Sequence, residues 1–196
     1  DGSPRIAGCE EVGKRLERQF YLAMWAQIRR LEGAGAEEIG GILEEAVQLS
    51  MPGLWEKPLK GRVLSLKEWN LILEAERYRA GSSLRPDSSL CARGGEEAHY
   101  REILACLEEA PMDLWSKAKT YPKAVCLLWR CLEEKGGEAG EELFDFCNRA
   151  LEILRKTSRM YRLWELLELR GRYLAHRMEE PEGYCEGGMN PVGHCN

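Results

Sequence analysis

The sequence predicts an all-α protein, and three observations support this fold class. Apolar residues recur at spacings of three and four along most of the chain, which is the period of an amphipathic helix. No stretch alternates apolar and polar residues with period two, and no Asn-Gly or Asp-Gly pair joins two such stretches. The signature positions of tetratricopeptide repeats do not recur, so we expect a compact bundle of seven or eight helices rather than a repeat array.

Three helices are predicted in an N-terminal half, residues 1–80. The first, Cys9 to Leu31, carries one apolar stripe, made of Val12, Leu16, Phe20, Met24, Ile28 and Leu31. The second, Ala36 to Leu49, contains the pair Gly40-Gly41, which predicts either a close packing neighbour or a soft helix. The third runs to Ala80 and follows a capping box formed by Ser65 and Glu68.

Residues 81–95 are rich in Ser and Gly and predict a mobile loop, and a C-terminal helical half, residues 96–178, is expected to pack on the first half. Its predicted helices are Glu96 to Glu109, a short Met112 to Lys119, a central helix that begins at Pro122, Glu141 to Lys156, and Ser158 to Met178. The short connection between the last two predicts an antiparallel helical hairpin. The Gly-rich residues 179–196 predict an irregular tail.

Composition excludes several classes of protein. The 196 residues include 28 basic and 33 acidic side chains, giving a formal net charge of −5, and 44% of the residues are hydrophobic. These values exclude collagen-like, low-complexity and wholly disordered chains. The longest uncharged stretches reach only about ten residues, against about 20 for a membrane span, so we expect a soluble protein with no membrane span and no secretory signal.

The eight cysteines bear on the cellular compartment. Cys106, Cys126, Cys131 and Cys147 lie in helical segments among Leu, Val and Phe, where free cysteine behaves as a small buried hydrophobe. No Asn-x-Ser/Thr sequence is present. We therefore expect a reducing compartment, cytoplasmic or nuclear; the alternative is a secreted, disulfide-bonded helical protein.

A possible zinc site lies near the C-terminus. His176, Cys185, His194 and Cys195 supply two imidazoles and two thiolates, a tetrahedral set for one structural zinc ion, although their spacing matches no common zinc motif. The alternative is no cofactor, an exposed tail with incidental cysteines, and a His176 favoured by the dipole at a helix C-terminus.

A basic stripe is predicted on the last hairpin. On the predicted Ser158 to Met178 helix, Arg159, Arg162, Arg170 and Arg177 lie on one side, and Arg155 joins them if the preceding turn is continuous. Arginines beside aromatic residues suit phosphate contact and base stacking, which makes RNA or single-stranded nucleic acid a possible partner. The alternative is a solvated face that pairs with glutamates of neighbouring helices.

Two of the six tryptophans, Trp55 and Trp115, lie on short irregular elements near prolines. We expect one or both to be exposed anchors for a partner protein. The alternative is a lid that packs them inward.

Catalytic signatures are missing from the sequence. It contains no Gly-x-Gly-x-x-Gly, Walker, His-Glu-x-x-His or Gly-x-Ser-x-Gly motif, and it has three histidines. Its paired glutamates are adjacent in sequence and therefore point to different faces of a helix. We do not expect an enzyme.

Residues 144–149, Phe-Asp-Phe-Cys-Asn-Arg, follow Gly136-Gly137. This stretch resembles a segment of retroviral capsid proteins in which a glycine precedes an acidic and aromatic helix that ends in arginine. The resemblance covers about twenty residues and lacks the glutamine that opens the capsid motif, so it does not assign the chain to that family. It leaves open a viral or retroelement origin.

Taken together, these features predict a non-enzymatic helical interaction or adaptor protein, viral or regulatory, that binds another protein through Trp55, Trp115 and the arginine stripe. The alternatives are an RNA-binding protein that uses the last hairpin and a zinc-stabilised C-terminal module.

Overall fold

A computed structural model describes residues 4–79, 95–136 and 140–179. Within these ranges the chain forms seven α-helices and no strand, which confirms the predicted all-α class. The helices are α1 (Pro4–Leu31), α2 (Ala36–Ser50), α3 (Leu66–Arg79), α4 (Gly95–Glu109), α5 (Leu114–Glu134), α6 (Glu141–Thr157) and α7 (Leu163–Glu179). The predicted mobile loop, apart from Gly95, and the tail beyond residue 179 lie outside the described residues.

Helix α5 is the centre of the bundle, as its apolar composition predicts. It packs against α3, α4, α6 and α7, while α1 packs on α2 and α2 packs on α3. The buried core cluster reaches from Ala26 of α1 to Leu169 of α7. Its largest fully buried side chains include Trp69, Tyr100 and Tyr121.

The prediction of a helix break at Pro122 is wrong. Residues 114–134 form one continuous helix with Pro122 inside it, so the two predicted helices are one. Pro122 cannot donate a backbone hydrogen bond, and proline inside a helix costs about 3 kcal/mol. Pro122 and its neighbours Thr120, Tyr121 and Ala124 are all buried, and this burial on several sides offsets the cost.

Two local predictions about the N-terminal helices are confirmed. The Ser65 hydroxyl accepts a hydrogen bond from the Glu68 N–H at 3.3 Å, and Glu68 Oε2 accepts one from the Ser65 N–H at 2.7 Å, which completes the capping box. A Cβ atom at Gly40 would lie 3.3 Å from Cβ of Tyr78, so α3 is the close neighbour that this position predicts. Nothing lies within 4 Å of a Cβ at Gly41.

Helices α6 and α7 run antiparallel, as predicted, but α7 begins later than its apolar pattern suggests. The Phe144 and Tyr173 rings stack with centroids 4.3 Å apart, and Cys147 Sγ lies 3.2 Å from the Leu166 carbonyl oxygen. From Phe144 to Cys147 along α6, the contacted residue of α7 moves back from Tyr173 to Leu166, which is the order of an antiparallel pair. Between the helices, Ser158 and Arg162 adopt left-handed conformations with φ of 53° and 59°, so residues 158–162 are not helical.

The apolar stripe of α1 faces outward. Its members Leu16, Phe20 and Leu31 are 54%, 66% and 83% exposed. The neighbouring face of α1 packs on α2, where Ala26 is buried and the Gln19 side chain donates to the Ala46 carbonyl oxygen at 3.0 Å. An amphipathic helix ordinarily turns its apolar stripe toward the core of its own chain. Helix α1 does not.

Four cysteines are free thiols: Cys126, Cys131 and Cys147 are buried and Cys106 is half-buried. Burial raises the pKa of Cys147 to about 11 despite the opposing charge of Arg170. The expectation that these residues act as small hydrophobes is confirmed for the three buried ones. No helix in the described part of the chain has the length and apolar character that a bilayer span requires.

Candidate functional site

Trp55 is not an exposed anchor. It lies in the connection between α2 and α3, is 4% exposed, and donates through Nε1 to Glu76 Oε1 at 2.5 Å. The Arg79 guanidinium carbon lies 4.4 Å from the centre of the Trp55 rings. The connection folds inward at Leu54 and Leu59 as well, so Trp55 belongs to the core, which is the alternative that the sequence left open.

The carboxylate that holds Trp55 is itself buried. Glu76 Oε1 also accepts a hydrogen bond from His99 Nε2 at 3.1 Å, and Oε2 lies 3.5 Å from the Tyr100 hydroxyl. Burial opposes ionisation of Glu76, but His99, Arg79 and Trp55 together hold its pKa below the usual range. This cluster joins α3, α4 and the α2–α3 connection, and both Glu76 oxygens have partners within it, which is typical of a structural network.

Trp115, in contrast, is on the surface. It occupies the first turn of α5 and is 53% exposed. The N-cap residue Asp113 fixes this turn, because its carboxylate accepts a hydrogen bond from the Ser116 N–H at 2.7 Å. The same hydrogen bond holds the pKa of Asp113 below its usual range. Trp115 is therefore presented to solvent by a well-capped helix end, as predicted.

Arg159 covers one side of the Trp115 rings. Its guanidinium carbon lies 5.0 Å from the ring centre, within cation–π distance. The end of α6 positions it: the Arg159 N–H donates to the Leu154 carbonyl oxygen at 3.0 Å and the Ser158 N–H to Arg155 at 3.3 Å. With Ser158 left-handed, these bonds form a Schellman motif. Two rigid helix ends thus hold the tryptophan and the arginine together.

A shallow cavity of about 210 Å³ is lined by Asn70, Lys119, Lys123 and Tyr161. Trp115, Lys119 and Lys123 follow one another at intervals of four residues, so they share one side of α5. Lys123 is held by contacts within the bundle, since its Nζ donates to Asn70 Oδ1 at 3.1 Å and to Glu74 Oε1 at 2.7 Å. Tyr161 lies above it, 5.5 Å from ring centre to Nζ, and is 41% exposed.

We call Trp115, Lys119, Arg159 and Tyr161 the Trp115 surface. Four cations near it are exposed: Lys119, Arg155, Lys156 and Arg159. Lys156 pairs with Glu152 at 2.7 Å and Asp113 lies near Lys119, which leaves Arg155 and Arg159 in excess. The exposed Met160 adds an apolar side chain to the same connection. The site thus combines aromatic and apolar groups with an excess of positive charge.

The predicted continuous arginine stripe is wrong. Its residues were projected onto one helix, but the left-handed Ser158 and Arg162 interrupt that helix. Arg155 ends α6, Arg159 belongs to the connection, and Arg170 and Arg177 lie exposed on α7. Arg162 turns inward and binds Glu165 at 2.6 Å; burial opposes its charge, but this pair raises the pKa of Arg162.

The predicted zinc ligands are only partly described. His176 is exposed on α7, and Cys185, His194 and Cys195 lie outside the described residues. Among residues that the structure does describe, no three His, Cys, Asp or Glu side chains are grouped as a metal ion would require. The zinc site stays a prediction.

The sequence did not single out Tyr161, Lys119 or Lys123 as part of a site. Tyr161 follows Arg159 closely in sequence, but no glycine or proline in residues 158–162 signals the non-helical connection in which it lies. The four-residue spacing of Trp115, Lys119 and Lys123 indicates one shared helix face, but the predicted helix break before Pro122 placed these residues on two helices.

Comparison of the chain with known protein families, with curated proteins and with solved structures finds no match.

Proposed function

We propose that this chain is a non-enzymatic, helical protein-binding module whose Trp115 surface receives an acidic segment of a partner protein. The observation that carries the proposal is the pairing of a half-exposed Trp115 with Arg159, on the side of α5 whose next residue, Lys119, lines an open cavity. Tryptophan and arginine are the residue types most enriched among the few side chains that dominate binding energy at protein interfaces.

The chemistry of the segment follows from the charges. The excess of exposed cations around Trp115 favours a partner that contributes carboxylates. Tyr161 and Met160 offer apolar contact area, so the segment should also carry an aromatic or aliphatic side chain. We therefore propose a peptide in which an apolar residue lies next to Asp or Glu.

A nucleic acid is the weaker candidate. The arginines that would follow a phosphate backbone do not form one stripe, and the chain has a net charge of −5. The adaptor role, a viral or regulatory origin, and a cytoplasmic or nuclear location stay predictions from the sequence.

The test is selection of peptides from a displayed random library on the full chain, followed by affinity measurements on variants. We expect enriched peptides with an apolar residue beside Asp or Glu, and binding about tenfold or more weaker in Trp115→Ala. Trp164→Ala is the matched control, because Trp164 is 77% exposed on α7 and is not among the residues that line the cavity. It should bind as the wild type does.

Three results would contradict the proposal: no acidic peptides enriched, enriched peptides that bind Trp115→Ala unchanged, or equal losses in both tryptophan variants. A single-stranded RNA homopolymer is measured in parallel. Salt-dependent RNA binding that is lost in Trp115→Ala, with no peptide binding, would replace the protein-binding function with a nucleic-acid one.

A further inference from the structure

The outward face of α1 is the largest apolar surface on a single helix in the described part of the chain. Eight large hydrophobic side chains on α1 are between 38% and 83% exposed; they are Val12, Leu16, Phe20, Tyr21, Met24, Trp25, Ile28 and Leu31. At 1.5 Å per residue, this face is about 30 Å long. A patch of this extent on a monomer ordinarily marks an interaction surface.

One edge of this face is complementary to itself when its direction is reversed: its two ends carry opposite charges, and its two inner positions are aromatic. Lys14, Tyr21, Trp25 and Glu32 are spaced by seven, four and seven residues. At 100° per residue their directions agree within about 40°, so they form one line along the helix. The Glu32 N–H donates to the Ile28 carbonyl oxygen at 3.0 Å, so residue 32 keeps the helical register. Its carboxylate also binds Arg29 of the same chain at 2.5 Å, so in the proposed pair it would contact a second cation.

An antiparallel second copy fits this line. With the midpoint at residue 23, Lys14 of one chain lies opposite Glu32 of the other, and Tyr21 lies opposite Trp25. Each contact then occurs twice, as a two-fold symmetric interface requires. In a parallel pair this edge of one helix would lie on the opposite side of the interface from the same edge of the other, so Lys14 and Glu32 would not meet and the match would be lost.

We infer that two copies of this chain associate through α1, antiparallel, with Phe20 and Met24 near the centre of the interface. This surface is separate from the Trp115 surface, and the inference stands independently of the proposed function. Flanking charges that favour one orientation are the device by which paired helices select their partners.

The experiment is sedimentation equilibrium of the full chain over a wide concentration range, with charge-reversal variants. The wild type should form dimers. Lys14→Glu and Glu32→Lys should each weaken the dimer by about tenfold, because each converts two attractive contacts into two repulsive ones. The double variant Lys14→Glu/Glu32→Lys should regain the wild-type affinity, since the pairs are then attractive with their signs exchanged.

Phe20→Ser should abolish the dimer, whereas Met160→Ser, which removes an 81% exposed side chain elsewhere, should not affect it. Circular dichroism shows whether each variant is folded. A wild type that stays monomeric, or a dimer that persists in Phe20→Ser, would overturn the inference. A dimer weakened by Phe20→Ser but not restored by the double charge reversal would overturn the antiparallel arrangement.

Discussion

Individual residues of similar type have opposite roles in this bundle, and burial decides which. Trp55 and Trp115 both follow irregular segments near proline, so the sequence does not distinguish them. Trp55 has a buried carboxylate, Glu76, as the partner of its indole N–H. Trp115 has only the guanidinium of Arg159 over its rings. The difference between the two tryptophans depends on which segments of the chain meet in the folded structure. The local sequence pattern does not show this.

Alanine substitutions should separate these two tryptophans. Trp55→Ala leaves a cavity and removes one hydrogen bond from the buried Glu76 carboxylate, and should lower the free energy of unfolding by about 4 kcal/mol. Trp115→Ala removes a half-exposed side chain and should change it by no more than about 0.5 kcal/mol. Urea unfolding measures both values. Equal losses in the two variants would contradict the assignment of Trp115 to a binding surface.

Glu76 should make stability depend on pH. Because its pKa is lower in the folded chain than its ordinary value near 4.5, the ionised carboxylate stabilises the fold above that pH. This contribution is lost as the pH falls through the folded-state pKa. Glu76→Gln should therefore cost about 3 kcal/mol at pH 5 and progressively less toward pH 3.

The comparison needs unfolding curves for wild type and Glu76→Gln at each pH, since other carboxylates titrate in both proteins and cancel in the difference. A difference that stays constant or grows on acidification below pH 4.5 would show that Glu76 is not held ionised by its neighbours.

At the scale of helices, periodicity and caps predicted where most elements lie, and backbone conformations without a sequence signal account for the errors. Helices α2, α4 and α6 lie within one residue of their predicted bounds. The start of α7 is five residues late, because left-handed Ser158 and Arg162 replace the glycine that usually signals such a turn. Pro122 led to the opposite error. A helix break was predicted there, but burial keeps α5 continuous through it.

The two adjacent glycines of α2 should respond differently to alanine. Gly41→Ala meets open space and should stabilise the fold by up to about 1 kcal/mol through helix propensity. Gly40→Ala gains the same propensity but presses a Cβ against Tyr78 at 3.3 Å, so its net effect should be smaller or destabilising. Thermal unfolding of the two variants tests the packing of α2 on α3. Equal stabilisation by both would mean that the helices do not approach closely there.

At the scale of the whole molecule, the sequence predicted the fold class but only part of the candidate site. An amphipathic pattern shows that a helix has an apolar face but does not show what covers it, so the outward face of α1 could not be foreseen. The Trp115 surface is assembled from α5 and the α6–α7 connection, with Asn70 of α3 at its edge. Trp115 and Arg159 were recognisable candidates, whereas their contact depends on tertiary packing.

The six tryptophans allow one direct test of the central claim, that the Trp115 surface binds an acidic segment. Each indole N–H gives its own signal in a ¹H–¹⁵N spectrum, and the six lie in different places: Trp25 on α1, Trp55 and Trp69 in the core, Trp129 in the centre of the bundle, and Trp115 and Trp164 exposed on α5 and α7. On titration with a selected acidic peptide, the account predicts that the Trp115 signal moves most and that the Trp25 and Trp164 signals stay in place. A shift of Trp25 or Trp164 with Trp115 unchanged would contradict it.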